Sequence, residues 1–102
     1  MFNINNIDWK VYLVSPNHPE LNYACGACDN STKTIYINDS LSQEKTKRVL
    51  CHEITHAAMF SYDIHLIEAQ EELLADLIAT YGQEIIEITN KIFLRLKERS
   101  LE

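Results

Sequence analysis

The feature that most constrains this chain is the pattern H-E-x-x-H, formed by His52, Glu53 and His56. On an α-helix, residues four apart lie on one face, so both imidazoles can point at a single metal ion. Glu53 lies beside this pair, close enough to reach a water on the metal without binding the metal itself. The pattern therefore predicts a helix that carries a hydrolytic zinc site.

Length and composition predict one compact domain over residues 1–102. Hydrophobic residues make up 46% of the chain and there are only two glycines and two prolines, which indicates a globular, helix-rich protein. The net charge is -6. Binding to nucleic acid needs a basic patch for phosphate contact, so we expect no nucleic-acid partner.

Nothing in the sequence indicates export or membrane insertion. The first six residues have no basic region and no apolar run, so we expect no signal peptide. No segment approaches the roughly 18 apolar residues of a membrane span. Three cysteines, an odd number, favour reduced thiols over a disulfide framework. We therefore expect a cytoplasmic protein without a membrane partner, and the sequence leaves its oligomeric state open.

The first half of the chain has the alternation and the residue types of β-strands. Residues Ile7 to Val14 and Lys33 to Asn38 alternate between apolar and polar side chains and are rich in β-branched and aromatic types. A short strand within Tyr23 to Cys28 is expected to pair with the second of these as a hairpin. The prolines between Ser15 and Leu21 predict a loop.

Two helices are expected in the second half. The first should run from about Gln43 to Ser61, with Ser40 or Ser42 as its N-cap and a capping box between Ser40 and Gln43. The second should run from about Ile67 to Lys97, with a kink or break at Gly82. Basic residues concentrate near its end, which suits the helix dipole: Lys91, Arg95, Lys97 and Arg99.

Two histidines leave a tetrahedral zinc short of a third protein ligand. The second helix contains Glu72 and Asp76, four apart on one face. Glu71 and Glu68 are competing ligands, because a change in local helix phase could bring either one to the metal.

These motifs resemble those of the gluzincins, in which the third zinc ligand is a glutamate on a following helix. The small size, the strands before the first helix and the short spacing to Glu72 look most similar to the ImmA/IrrE-type peptidases of phages and mobile elements, or to the minimal gluzincins. The resemblance covers Lys33 to about Tyr81. The chain lacks the Glu-Ala-Asn sequence that is common after the ligand in that family.

The resemblance implies a role for each matching residue. Glu72 would be the third zinc ligand, and Asp76 would accept a hydrogen bond from His52 and so fix its tautomer. Glu53 would be the catalytic general base. A donor for the oxyanion is also needed, and His65, Tyr62 and Tyr81 are candidates, as are two further tyrosines, Tyr23 and Tyr36. An extended substrate could pair with a free edge of the strand Thr34 to Asn38.

Cys25 and Cys28 form a C-x-x-C pair with no second pair to complete a zinc ribbon, and Cys51 precedes His52. We interpret them as reduced, structural thiols near the cleft. The alternative is a redox or metal-linked regulatory role.

These expectations combine into an α/β (α+β) chain with a minimal zincin fold: a small, mostly antiparallel sheet of about three strands, then an active-site helix and a glutamate-bearing helix. The predicted function is zinc-dependent cleavage of a protein or peptide substrate, such as a regulatory protein of a phage or mobile element. Two alternatives remain open. One is a zinc-stabilised interaction module with little or no turnover, and the other is a hydrolase of a non-peptide amide.

Overall fold

The computed structural model describes the backbone of residues 1–100 and the side chains of residues 1–98, so the side chain of Arg99 lies outside the described residues. Strands β1 (Phe2–Ile4), β2 (Ile7–Val14), β3 (Gly26–Asp29) and β4 (Thr34–Asn38) precede helices α1 (Gln43–Ser61) and α2 (Glu68–Ser100). The predicted α+β class, with a small sheet followed by two helices, is confirmed. Neither helix, over the residues described, combines the length and hydropathy of a transmembrane segment.

The sheet has four strands in the order β1-β2-β4-β3, one strand more than we predicted. The extra strand β1 pairs antiparallel with β2 through a tight turn at Asn5 and Asn6, both with positive φ. Two consecutive residues with positive φ between short apolar strands are typical of a two-residue hairpin, in which asparagine is favoured. The Asn-Asn pair was therefore the sequence signal for the missing strand.

Strand β4 lies inside the sheet rather than at its edge. It pairs in parallel with β2, with Val11 opposite Ile35, and antiparallel with β3, with Ala27 opposite Tyr36. The predicted β3–β4 hairpin is confirmed. The expectation that β4 offers a free edge is wrong, because both of its sides carry strand partners; β3 is the strand at that edge of the sheet.

One face of the sheet packs against α1 to form the core. Trp9, Ile35, Ile37 and Ala57 form a fully buried cluster. The indole of Trp9 donates a hydrogen bond from Nε1 to Oγ of Ser61, at 2.8 Å, which satisfies its polar atom inside the apolar core. This packing fixes α1 on the sheet and leaves its opposite face for the site.

Helix α1 begins and ends where the sequence predicted. Its N-cap is Ser42, whose hydroxyl accepts a hydrogen bond from the backbone N–H of Lys45. The predicted capping box from Ser40 is wrong, because that hydroxyl instead donates to Oδ1 of Asn38, at 2.6 Å. The predicted break at Gly82 is also absent, and α2 runs uninterrupted through that position.

Candidate metal centre

The two histidines of α1 present their Nε2 atoms to the same point. One turn of helix separates His52 from His56, and their Nε2 atoms are 3.1 Å apart. Both rings are largely buried, with side chains 19% and 11% exposed. Two imidazole nitrogens this close need either a proton or a cation between them, which is the first indication of a metal centre.

Helix α2 brings a carboxylate to that point. Glu72 places Oε1 2.9 Å from Nε2 of His56 and Oε2 3.3 Å from Nε2 of His52. One ligand atom from each of the three residues lies within 4.8 Å of the other two. Of the acidic residues considered from sequence, the structure thus brings Glu72 to the histidines, whereas Glu68 in the first turn of α2 is exposed and outside this group.

The other nitrogen of each imidazole faces a second carboxylate. Nδ1 of His52 lies 2.9 Å from Oδ1 of Asp76, and Nδ1 of His56 lies 2.7 Å from Oε1 of Glu71. With Nδ1–H donating to a carboxylate, the lone pair of each ring is on Nε2, which faces Glu72. Glu71, a competing ligand on the sequence alone, therefore orients His56 as Asp76 orients His52.

This arrangement fits a tetrahedral metal ion. Zinc bonds of about 2.0–2.1 Å to nitrogen or oxygen place neighbouring ligand atoms about 3.3 Å apart at tetrahedral angles. The Nε2 atoms of the two histidines are 3.1 Å apart, that of His56 lies 2.9 Å from Oε1 of Glu72, and that of His52 lies 3.3 Å from Oε2; these distances are close to that spacing. Two neutral imidazoles and one carboxylate are also a ligand set that zinc accepts in catalytic sites, with the fourth position left for water.

Glu53 projects into the same site from α1 and is buried. Burial raises the pKa of its carboxyl; the neighbouring His52 and His56 lower it, and Glu72 adds to the increase. A carboxyl with a raised pKa is suited to taking up and releasing a proton. Glu53 therefore has the position and the environment of a general base next to the three ligand atoms.

The family assignment follows from residues 11–93, which match the family described as IrrE N-terminal-like domain. The match covers most of the chain, including the site residues of α1 and those of α2. The chain belongs to this family. No curated protein and no solved structure matches the chain. Membership in this metal-dependent peptidase family supports a metallopeptidase-type function for the site, in agreement with the predicted ImmA/IrrE resemblance.

The site of this IrrE-like domain opens into a cleft of about 440 Å³ between β3, α1 and α2. Its floor is formed by the histidines and the acidic residues, and its walls include Cys25, Gly26, Arg48 and Thr80. Arg48 lies one turn before His52 on α1, and its guanidinium gives the lining of the cleft a positive charge. Sequence reasoning missed Arg48 and Thr80, although the i, i+4 spacing of Arg48 and His52 was a signal for the first.

The predicted oxyanion donors lie away from this lining. His65 is on the surface, with Nε2 2.8 Å from Oδ1 of Asp63. Tyr62, Tyr81 and Tyr23 are exposed, and Tyr36 stacks on His18. None of them lines the cleft as the described residues form it, so their role stays a prediction.

The three thiols have different positions around the IrrE-like site, and all are free. Cys25 lines the cleft. Cys28 packs against the core, where burial, with smaller contributions from Glu53 and Asp29, raises the pKa of its thiol to about 12. Cys28 is thus held as a neutral thiol. Cys25 lies in the cleft beside the site, which is the position that a redox or metal-linked regulatory role would require.

Proposed function

We propose that this chain is a zinc-dependent endopeptidase. The observation that supports this most is the meeting of three ligand atoms from His52, His56 and Glu72 beside the buried carboxyl of Glu53. Each imidazole is held by its own carboxylate, so the site needs little rearrangement to bind a metal.

The roles of the chain's own residues follow from this geometry. His52, His56 and Glu72 would hold the zinc ion, which would supply a coordinated water with its pKa lowered toward about 7 and a positive charge to polarise the scissile carbonyl. Glu53 accepts the proton of the attacking water and delivers it to the leaving amine. Asp76 and Glu71 accept Nδ1–H hydrogen bonds and keep both Nε2 lone pairs directed at one point.

The substrate of the proposed reaction is an extended polypeptide lying along β3. The carbonyl of Cys25 accepts a hydrogen bond from the backbone N–H of Asn38, at 2.9 Å. Because inward and outward backbone groups alternate along an antiparallel strand, those of Gly26 point away from β4 and toward the cleft. A peptide that pairs with this edge would enter the cleft that Gly26 and Glu53 both line.

The biological target we infer is a regulatory protein of a phage or mobile element, cut in the cytoplasm. The resemblance to ImmA/IrrE-type peptidases supports the target class. The free thiols at all three cysteine positions agree with a reducing compartment.

The proposal is tested by metal content and peptide cleavage on protein purified without a histidine tag. Wild type should contain one equivalent of zinc and cleave members of a peptide library, and a chelator should stop cleavage. Glu53→Gln should keep zinc and lose at least about 100-fold in rate, because general-base catalysis contributes about 10² to 10⁴. Glu72→Ala should lose zinc and activity together.

Glu68→Gln is the matched control, because it removes an exposed carboxylate one turn before Glu72 and should change neither quantity. Full zinc retention in Glu72→Ala would refute the ligand set. Zinc in the wild type with a biological effect that Glu53→Gln leaves intact would favour the interaction module instead.

A further inference from the structure

A row of apolar side chains runs along α2 on a side that α1 does not cover. We call Leu74, Ile78, Tyr81, Ile85, Ile88 and Ile92 the apolar stripe. Its last five members are 37% to 53% exposed, and Ile78, the least exposed of them, also lines a cavity with residues of α1. The side of α2 that does contact α1 is marked by the fully buried Ala75, about 100° around the helix from the centre of the stripe.

Much of the stripe lies on a part of α2 that extends beyond the rest of the molecule. The first turn of α1 reaches α2 near Gln83, where Glu44 and Gln83 line one cavity. Every residue from 83 to 98 is exposed. A helical segment of this length that buries so little of its surface is marginal in water, so a partner would supply stability that the segment lacks on its own.

The spacing along the stripe is that of a helix that packs against another helix. Successive members are four, three, four, three and four residues apart. This alternation keeps the apolar residues in line with a neighbouring helix over successive turns, as in a coiled coil. Gly82 and Thr89 lie along one edge of the stripe, and both are small enough to let a second helix come close.

The charges beside the stripe favour α2 of a second copy of this chain as the neighbouring helix. Glu84 and Lys91 flank the stripe on one side, seven residues apart. If a second copy packs antiparallel, with a two-fold axis between Ile86 and Glu87, Ile85 meets the partner's Ile88. In that register Glu84 meets the partner's Lys91, and the symmetry makes this pair twice.

A parallel pair of helices lacks this complementarity. The stripe's spacing continues after Ile92 to Arg95, so two parallel copies would place Arg95 against the partner's Arg95. Like charges in that position are unfavourable, whereas the antiparallel register places Arg95 against the partner's Ile78. From this we propose that the apolar stripe of α2 is the interface of an antiparallel homodimer.

The molecular dimensions allow this arrangement. The antiparallel register places the partner's Ala75 beside residue 98 of this chain, about 35 Å along the helix from its own Ala75. The molecule measures 31 and 27 Å across its two shorter axes. The two bodies therefore lie at opposite ends of the helix pair, and both clefts stay open.

The experiment is sedimentation equilibrium of the full chain at high micromolar concentration. Wild type should have twice the 11.8 kDa mass of the single chain. Ile88→Glu should be monomeric. Leu94→Glu is the matched control, because Leu94 is 58% exposed, against 49% for Ile88, and lies on the opposite side of α2, so its change should leave the dimer intact. Fluorescence of the buried Trp9 verifies that each variant is folded.

A charge exchange tests the orientation. Glu84→Lys alone should weaken dimerisation by roughly tenfold, because each of two attractive pairs becomes repulsive. Adding Lys91→Glu should restore the wild-type affinity. A monomeric wild type, a dimer that persists in Ile88→Glu, or a double exchange without rescue would each overturn the proposal, whatever the outcome of the peptidase assays.

Discussion

At the scale of single residues, the centre depends on pairs in which one side chain holds another. His52 and His56 are each placed by helix spacing, but their ring orientation is set by Asp76 and Glu71 at 2.9 and 2.7 Å. The sequence indicated the first of these carboxylates, through its resemblance to gluzincins. The second depends on how α2 is rotated against α1, so the sequence alone leaves Glu71 as an alternative ligand.

Removing the charge of Glu71 should weaken metal binding without abolishing it. We expect Glu71→Gln to raise the zinc dissociation constant about 10- to 100-fold, because a neutral partner holds the Nδ1–H of His56 less strongly. Competition with a chromogenic chelator measures this constant. Asp76→Asn is the paired variant and should have an effect of similar size. Complete loss of zinc in Glu71→Gln would show that Glu71 is itself a ligand.

The buried thiol of Cys28 should be unreactive at ordinary pH. Its pKa is raised from 9.0 to about 12, so the folded chain has roughly 1,000-fold less thiolate than the unfolded chain near pH 8. Alkylation by iodoacetamide, followed by mass spectrometry of the Cys28 peptide with and without urea, measures the difference. Equal rates in the two states would contradict the prediction.

The same shift has a consequence for stability. Above pH 9 the unfolded chain releases a proton that the folded chain retains up to about pH 12. The free energy of unfolding should therefore fall as the pH rises through this window, and Cys28→Ser should remove that contribution.

At the scale of elements, the cleft depends on how closely β3 approaches α1. A Cβ atom on Gly26 would lie 2.7 Å from Cγ1 of Val49 and 3.1 Å from Cγ of Glu53. Both distances are below ordinary van der Waals contact, and the β-branched Val49 has little freedom to move on a helix. Glycine at this position therefore allows the edge strand to pack directly beside Glu53.

Gly26→Ala should destabilise the fold and disturb the site together. Crowding of a packed interface costs about 1–3 kcal/mol, which urea unfolding can measure. Because Glu53 is one of the two contacts, the rate of peptide cleavage should fall more than zinc content does. Ala27→Gly, at the next residue of β3, is a control for loss of strand propensity alone. Wild-type stability and activity in Gly26→Ala would show that β3 can move away from α1 without cost.

At the scale of the whole molecule, the candidate centre joins helices α1 and α2. The proposed ligands His52 and His56 come from α1, whose other face forms the core with the sheet, and the proposed ligand Glu72 comes from α2. A metal ion bound by all three therefore links α2 to the rest of the fold. Because the unfolded chain cannot present the three ligands together, binding energy adds to folding energy.

Zinc should accordingly raise the thermal stability of the metal-free chain. A ligand at about 1,000 times its dissociation constant contributes about 4 kcal/mol, and a domain of this size gains about 4–8 °C per kcal/mol. Differential scanning calorimetry with and without zinc should therefore show an increase of more than about 10 °C. Glu72→Ala should abolish most of this increase, and an equal increase in that variant would exclude the proposed centre.

The sequence by itself determined the elements whose patterns are local. Residues Ile7–Val14 and Gln43–Ser61 form the strand and the helix that alternation, helix spacing and an N-cap serine predicted. The spacing within H-E-x-x-H also placed both histidines on one face of α1. These features depend on residues only a few positions apart, so the periodicity of the sequence is enough to predict them.

Only the tertiary structure decided the relations between distant segments. It paired β2 in parallel with β4, which moved the free edge from the predicted Thr34–Asn38 to β3. It also rotated α2 so that Glu72 faces both histidines while Glu71 supports His56. These relations depend on packing between elements that are far apart in sequence. Turning a helix about its axis by one residue position, or giving a strand a different neighbour, leaves the local sequence pattern unchanged, so that pattern cannot predict them.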